Sequence, residues 1–231
     1  MITGTAAGVP YVALPPRTGR RLVLVWHLLG EPGTPADMAR ALPLTDVDAW
    51  RVHLPLPAVP VDGDPVRDWY APLVTAGVAA VAPVVAALRA DLGCDDGPVD
   101  LVGGSAGGHI ALLTAVSGTV PVRRVAALNP AVTVQSVIAA CLDEGLLDAY
   151  DWTPASTTAA DPLDVTARAD RLTAPLLLLR GEHEYAAFRP VQDRLHAAVP
   201  ASELVEVPGL PHMLVSSLDV VGAEVTAWLT G

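Results

Sequence analysis

Apolar residues fall in two rhythms along this chain. Short, nearly continuous runs occur at Leu22 to Trp26, Val99 to Gly103, Val125 to Leu128 and Leu176 to Leu179. Runs of that length are expected of strands buried on both faces of a sheet. Trp50 to Leu56 and Glu203 to Val207 read as further strands, and Val9 to Leu14, closed by Pro15-Pro16, as an edge strand. Helical stretches alternate with them. Pro35 to Leu42 is a short helix with Thr34 as its N-cap. Pro65 to Leu92 is a long one that Pro72 and Pro83 should kink or divide. Ala106 to Val116, Arg189 to Val199 and Val220 to Leu229 follow. This order predicts an α/β fold with a mostly parallel central sheet flanked by helices.

Residues 133–174 break the alternation. They hold a helical segment near Val134 to Leu147, then a stretch rich in Ala, Thr and Asp. The expectation is one domain over 1–231, with this segment as a small insertion or minimal lid. No internal repeat or interdomain linker interrupts it.

Composition narrows the function classes. Hydrophobic residues make up 52% of the 231 positions and charged residues 17%, a balance that supports a large core and excludes disorder. The net charge of −11 repels phosphate backbones, which argues against a nucleic-acid partner. All basic residues are Arg, so lysine Schiff-base and Ser-Lys chemistry are ruled out. Cys94 and Cys141 make no disulfide framework and read as reduced thiols. Met1 to Gly8 has neither the charge nor the apolar core of a signal peptide, and Leu22 to Leu29 is too short to cross a bilayer. A cytoplasmic protein without a membrane partner is the expectation; oligomeric state cannot be read.

The sharpest chemical signal is Gly103-Gly104-Ser105-Ala106-Gly107-Gly108. It satisfies G-x-S-x-G between a buried strand and a helix, the setting that a nucleophilic serine on a tight turn requires. The helix start presents N–H groups to developing negative charge, with the Ala106 N–H as one oxyanion donor. The competing reading is a glycine-rich phosphate cradle, but neither G-x-G-x-x-G nor G-K-[ST] is present.

A serine hydroxyl needs a base. His183, His196 and His212 follow Ser105 in the chain. His196 falls inside a helix and His183 in the loop where an acid is expected. His212 follows the strand Glu203 to Val207 and precedes the last helix, where a strand-end loop would deliver it. The acid should follow Leu176 to Leu179, in Arg180-Gly181-Glu182-His183-Glu184-Tyr185. Glu184 is preferred and Glu182 competes; Asp161, Asp164 and Asp170 have no strand to deliver them.

Together these residues resemble the α/β-hydrolase superfamily, over about Leu22 to Leu229. GGSAGGHIAL looks like the nucleophile elbow of small carboxylesterases and of prolyl-oligopeptidase-like hydrolase domains. LLLLRGEHEY resembles the acid-bearing strand and loop, where the acid stands three residues after a glycine, here Glu184. VPGLPHM resembles the histidine loop. The superfamily's His-Gly after the third strand is replaced by Trp26-His27-Leu28-Leu29-Gly30. The second oxyanion donor is therefore assigned to the Leu29 N–H, with Leu28 next, and His27 is read as structural. The resemblance implies a serine esterase for small or medium acyl esters, with a Ser105-His212-Glu184 triad and no cofactor or metal. Thioester or peptide hydrolysis, or a non-catalytic binding role, are the alternatives.

Overall fold

The computed structural model describes residues 1–214 and 218–231. Eight strands form one sheet: β1 Ile2–Ala6, β2 Val9–Leu14, β3 Leu22–Trp26, β4 Trp50–Leu54, β5 Val99–Gly104, β6 Val122–Leu128, β7 Leu176–His183 and β8 Ser202–Pro211. Their spatial order is β1-β2-β4-β3-β5-β6-β7-β8. β1, β2 and β4 pair antiparallel, and every pair from β4 through β3 to β8 is parallel. The helices are α1 Pro35–Ala41, α2 Ala71–Leu92, α3 Ala106–Ser117, α4 Val134–Asp143, α5 Pro154–Ala160, α6 Arg189–Ala198 and α7 Leu218–Thr230.

The continuous apolar runs have a direct cause. In β3, Leu22, Leu24 and Trp26 enter the core beneath α2 and α3, while Val23 and Val25 enter the core beneath α1 and α7. Alternate side chains of a strand point to opposite faces, so a doubly covered strand tolerates no polar side. Fully burying one such Leu or Val stabilises the fold by about 1.5–3 kcal/mol.

Several expectations change. Val9–Leu14 is not the edge: β1 lies outside it. The two are joined through Ala7 and Gly8, both with positive φ (48° and 83°), the geometry of a two-residue hairpin turn. Gly4 gives room to the ring of Tyr11, since a Cβ there would stand 2.5 Å from the phenolic oxygen. The long helical stretch divides, but at Tyr70: a π-helical turn, Pro65–Tyr70, passes into α2. Asp64 caps that turn by accepting from Val66 and Arg67 N–H. Pro72 sits in the first turn of α2, just after the junction with the π-helical turn, and α2 continues through Pro83. By length and composition Pro65–Leu92 is apolar enough to cross a bilayer. Here Leu73, Val74, Val81, Val84 and Leu88 are buried in the core. Thr34 caps α1 as expected, accepting from Asp37 N–H.

Residues 133–174 form α4, α5 and two 3-10 segments. They do not hang over the sheet as a free flap. Val134, Ile138, Leu163 and Val165 share the core beneath α2 and α3. His109 of α3, wholly buried, donates from Nε2 to the Leu163 carbonyl at 2.7 Å and accepts from the Tyr70 hydroxyl at 3.1 Å. Burial pushes its pKa down to about 4.

Candidate active site

The parallel strands end along one edge of the sheet, and the candidate residues stand at those ends. Ser105 occupies the turn between β5 and α3 with φ 48° and ψ −115°. A non-glycine residue there is strained by roughly 1–3 kcal/mol and persists only where its surroundings over-determine it. The Ser105 N–H donates to the Leu128 carbonyl, and its own carbonyl accepts from His109 and Ala131 N–H. The flanking glycines make the turn possible. A Cβ on Gly103 would lie 2.2 Å from the Gly107 oxygen, and one on Gly107 would lie 2.5 Å from the His27 oxygen. The G-x-S-x-G spacing is thus a packing requirement.

His212 follows β8 directly, and Glu184 follows β7. Both strands run further than their apolar cores foretell, and His183 pairs with Pro211. That pairing brings the acid beside the histidine. His212 Nδ1 lies 2.6 Å from Glu184 Oε1, and its Nε2 lies 3.0 Å from Ser105 Oγ. A carboxylate only accepts, so Nδ1 carries the proton and Nε2 offers its lone pair to the serine hydroxyl. All three residues are buried. Tyr185 stacks on the imidazole with centroids 4.1 Å apart, and Phe188 meets it edge-on at 5.2 Å. The ring therefore has little freedom to turn. Ser105, His212 and Glu184 form the arrangement of a serine-hydrolase triad.

The other candidates stand elsewhere. Glu182 is exposed and accepts from the Gly209 N–H at 2.8 Å, which ties β7 to β8. His183 is exposed. His196 bonds the Ser202 hydroxyl at 2.8 Å, at the start of β8 and so at the opposite end of that strand from His212. Asp164 accepts from Thr166 and Ala167 N–H in the inserted segment.

The stretch 26–30 also takes shape. His27 is buried, donates from Nδ1 to the Leu28 carbonyl at 2.7 Å and accepts at Nε2 from the Leu56 N–H at 3.2 Å. Burial lowers its pKa, favouring this neutral, doubly bonded form. Leu28, where a glycine is usual, turns its side chain into the core beneath α1 and α7 and packs on Gly104. Leu29 packs on the opposite core. Among the described residues, no acceptor is bonded to the backbone N–H of Leu28, Leu29 or Ala106.

Two supporting residues escaped the sequence reading. Asn129, fully buried at the end of β6 with φ 42°, donates from Nδ2 to the Pro211 and His212 carbonyls at 3.0 and 2.9 Å. Its Oδ1 accepts from the Gly181 N–H at 2.7 Å. One side chain thus clips the histidine loop to the acid-bearing strand. Gln192 of α6, also fully buried, donates to Glu184 Oε2 at 3.2 Å and to the Pro130 carbonyl at 3.0 Å. Glu184 Oε1 takes a further bond from the Tyr185 N–H at 2.7 Å. The one available signal was the Asn at the end of a buried strand, since Asn tolerates positive φ better than most residues.

Two hollows open near the ends of the strands. A groove of about 400 Å³ runs past His212 and Glu184, walled by Glu144, His183, Tyr185 and Met213. A cavity of about 410 Å³ lies on the other side, between α2, the residues after β4 and the β1–β2 turn. Ser105 is in the wall of neither.

Comparison with known proteins gives fold without family. No protein-family model matches the sequence. No curated protein matches it either. Among solved structures, TT1662 from Thermus thermophilus aligns with a TM-score of 0.72 at 19% identity, covering 100% of both chains. The enol-lactonase from Burkholderia xenovorans LB400 aligns at 0.65 and 17% identity, covering 100% of both. Proline iminopeptidase from Mycobacterium smegmatis aligns at 0.68 and 17%, covering 99% of this chain and 98% of that one. These likenesses establish the α/β-hydrolase fold and leave the chemistry to the site.

Proposed function

We propose that this protein is a serine hydrolase that cleaves small or medium acyl esters through an acyl-enzyme. The observation that carries the reading is the unbroken hydrogen-bond chain from Ser105 Oγ through His212 to Glu184. In acylation, His212 Nε2 takes the hydroxyl proton as Ser105 Oγ bonds to the ester carbonyl carbon. The imidazolium, steadied by Glu184, returns that proton to the departing alkoxide as the C–O bond breaks. Water, activated by the same nitrogen, then releases the acid and restores the serine.

The negative oxygen of the tetrahedral intermediate needs two donors. Ala106 N–H, at the start of α3, is one. For the second, the peptide geometry favours Leu29 over Leu28. His27 holds the Leu28 carbonyl, and in a planar trans peptide the following N–H points the opposite way. The Leu29 N–H is therefore fixed in direction before substrate arrives.

The test is labelling with a fluorophosphonate probe, together with hydrolysis of p-nitrophenyl acetate. Wild type is expected to be labelled at Ser105 and to turn over the ester, and Ser105→Ala to do neither. A folded wild-type protein that resists the probe and hydrolyses no faster than Ser105→Ala would overturn the proposal.

A further inference from the structure

The groove beside His212 has two triad residues, His212 and Glu184, in its wall. Tyr185, Pro211 and Met213 give it apolar surface, and Glu144 reaches it from the inserted segment. In acylation His212 hands its proton to the leaving oxygen, so the leaving group departs on the His212 side of the tetrahedral carbon. The alcohol of an ester therefore stands in or at this groove.

Its charge is one-sided. Glu184 is committed: buried, it faces His212 at 2.6 Å and offsets the imidazolium that forms there. Glu144 has no such counterpart. No arginine lines the groove among the described residues, and none lies within ion-pair distance of Glu144. His183, exposed, is the other ionisable side chain in the wall. Between Arg124 and Arg168 the sequence holds Asp143, Glu144, Asp148, Asp151, Asp161 and Asp164 but no basic residue, so the inserted segment supplies no cation to screen the site.

Glu144 also stands where helix physics disfavours it. It is the C-cap of α4, and its N–H donates to the Ala140 carbonyl at 2.9 Å. The C-terminal end of a helix carries partial negative charge and is stabilised by cationic side chains. α4 ends instead on Asp143 and Glu144, with no basic residue in its last turn. Helix end and carboxylate thus add their negative potentials beside the groove. Their neighbour is Tyr185, the ring stacked on His212 at 4.1 Å. Burial pushes the Tyr185 phenol up from its ordinary pKa, and the charges of Glu144 and Glu184 push it further.

We propose that Glu144 is a specificity-determining residue, and that the groove favours esters whose departing alcohol carries a positive charge. The carboxylate draws the cation in, while Tyr185 and Met213 offer surface to alkyl groups on its nitrogen. An anionic alcohol meets repulsion at the same place. This rests on the serine-hydrolase reading for the side from which the alcohol leaves; attraction of a cation to the groove does not.

The test compares acetylcholine with neohexyl acetate, in which carbon replaces the charged nitrogen while acyl group and shape are kept. The quantity read is the ratio of their kcat/KM values, cationic over neutral. Glu144 is exposed, so the ratio should fall roughly two- to fivefold in Glu144→Gln and roughly tenfold in Glu144→Arg. Salt at about 0.5 M should shrink the wild-type preference. Glu203→Gln, exposed at the far end of β8 from His212, should keep the wild-type ratio and so controls for net charge. A ratio that is the same in wild type and both Glu144 variants, or that falls equally in Glu203→Gln, overturns the proposal and leaves the hydrolase reading standing. If neither ester is hydrolysed, calorimetric titration of Ser105→Ala with acetylcholine, with and without Glu144→Arg, decides. Binding that Glu144→Arg weakens supports the cation site, and only the hydrolase reading fails. Acetylcholine that does not bind, or binds both proteins equally, overturns the proposal as well.

Discussion

Removing the Asn129 side chain should cripple catalysis without touching a reacting atom. The variant Asn129→Ala deletes three hydrogen bonds to buried backbone groups, those of Pro211, His212 and Gly181. Each buried group left without a partner costs about 1–3 kcal/mol. Alanine must also hold φ near 42°, a further penalty of about 1–2 kcal/mol. The sum is on the order of 4–11 kcal/mol, comparable with the roughly 5–15 kcal/mol that holds a domain folded. Asn129→Gly separates the two effects, because glycine accepts positive φ freely and loses only the hydrogen bonds. It should be more stable than the alanine variant by about 1 kcal/mol, measured by urea unfolding. It should remain far less active than wild type. With the clip gone, the His212 loop is free to shift, and a displacement of about 1 Å costs roughly 100-fold in rate. The assay is kcat for p-nitrophenyl acetate under conditions where circular dichroism shows the variant folded. An Asn129→Gly protein within about threefold of wild-type kcat would refute the positioning role.

The carboxylates can be told apart by paired substitutions. Glu184→Gln should lower kcat by about 10³- to 10⁴-fold, since an amide facing Nδ1 permits the wrong imidazole tautomer. Glu182→Gln, exposed and still able to accept from Gly209, should stay within about twofold. Gly107→Ala should lower the melting temperature by about 4–10 °C, because its Cβ meets backbone 2.5 Å away; Gly222→Ala, with its nearest neighbour at 3.6 Å, should not lower it. Acid should destabilise the protein through His109. Its folded pKa, about 4, lies below the usual 6.5, so stability is full above pH 6.5 and is lost as pH falls toward 4. The slope is about 1.4 kcal/mol per pH unit from this group, and His109→Gln should flatten that part of a urea-unfolding profile.

The triad was legible because each member announces itself locally. Ser105 sits in a strand-turn-helix sequence in which Gly103 is demanded by the backbone of Gly107 four residues on, although Gly107 itself is demanded by the distant His27 carbonyl. Glu184 and His212 follow apolar strands in the order the fold requires. Asn129 and Gln192 announce nothing of the kind. Their partners lie 52 to 83 and 8 to 62 residues away, and only the folded sheet brings them together. Strand β1 was missed for another reason. Ile-Thr-Gly-Thr-Ala carries little apolar signal, because an outer antiparallel strand buries few side chains. The ends of β7 and β8 were hidden by Gly181, Gly209 and Pro211, which read as chain breakers; here Gly181 pairs with Val207, Pro211 pairs with His183, and the Gly209 N–H donates to the Glu182 side chain. Leu28, which the sequence shows in place of the superfamily's glycine, packs its side chain on Gly104, a contact that only the fold reveals.

The path of the chain through the sheet also sets when the molecule can act. The serine belongs to the fifth strand in sequence and its base to the eighth, 107 residues later. During synthesis, the strained turn leaves the ribosome well before the imidazole that must take its proton. β6, between the strand that leads to the serine and the strand that leads to the acid, is in turn held by α7, whose Trp228 indole donates to the Val125 carbonyl and whose Leu229 carbonyl accepts from Arg123. A growing polypeptide therefore carries Ser105 without its histidine partner until 107 further residues have been added.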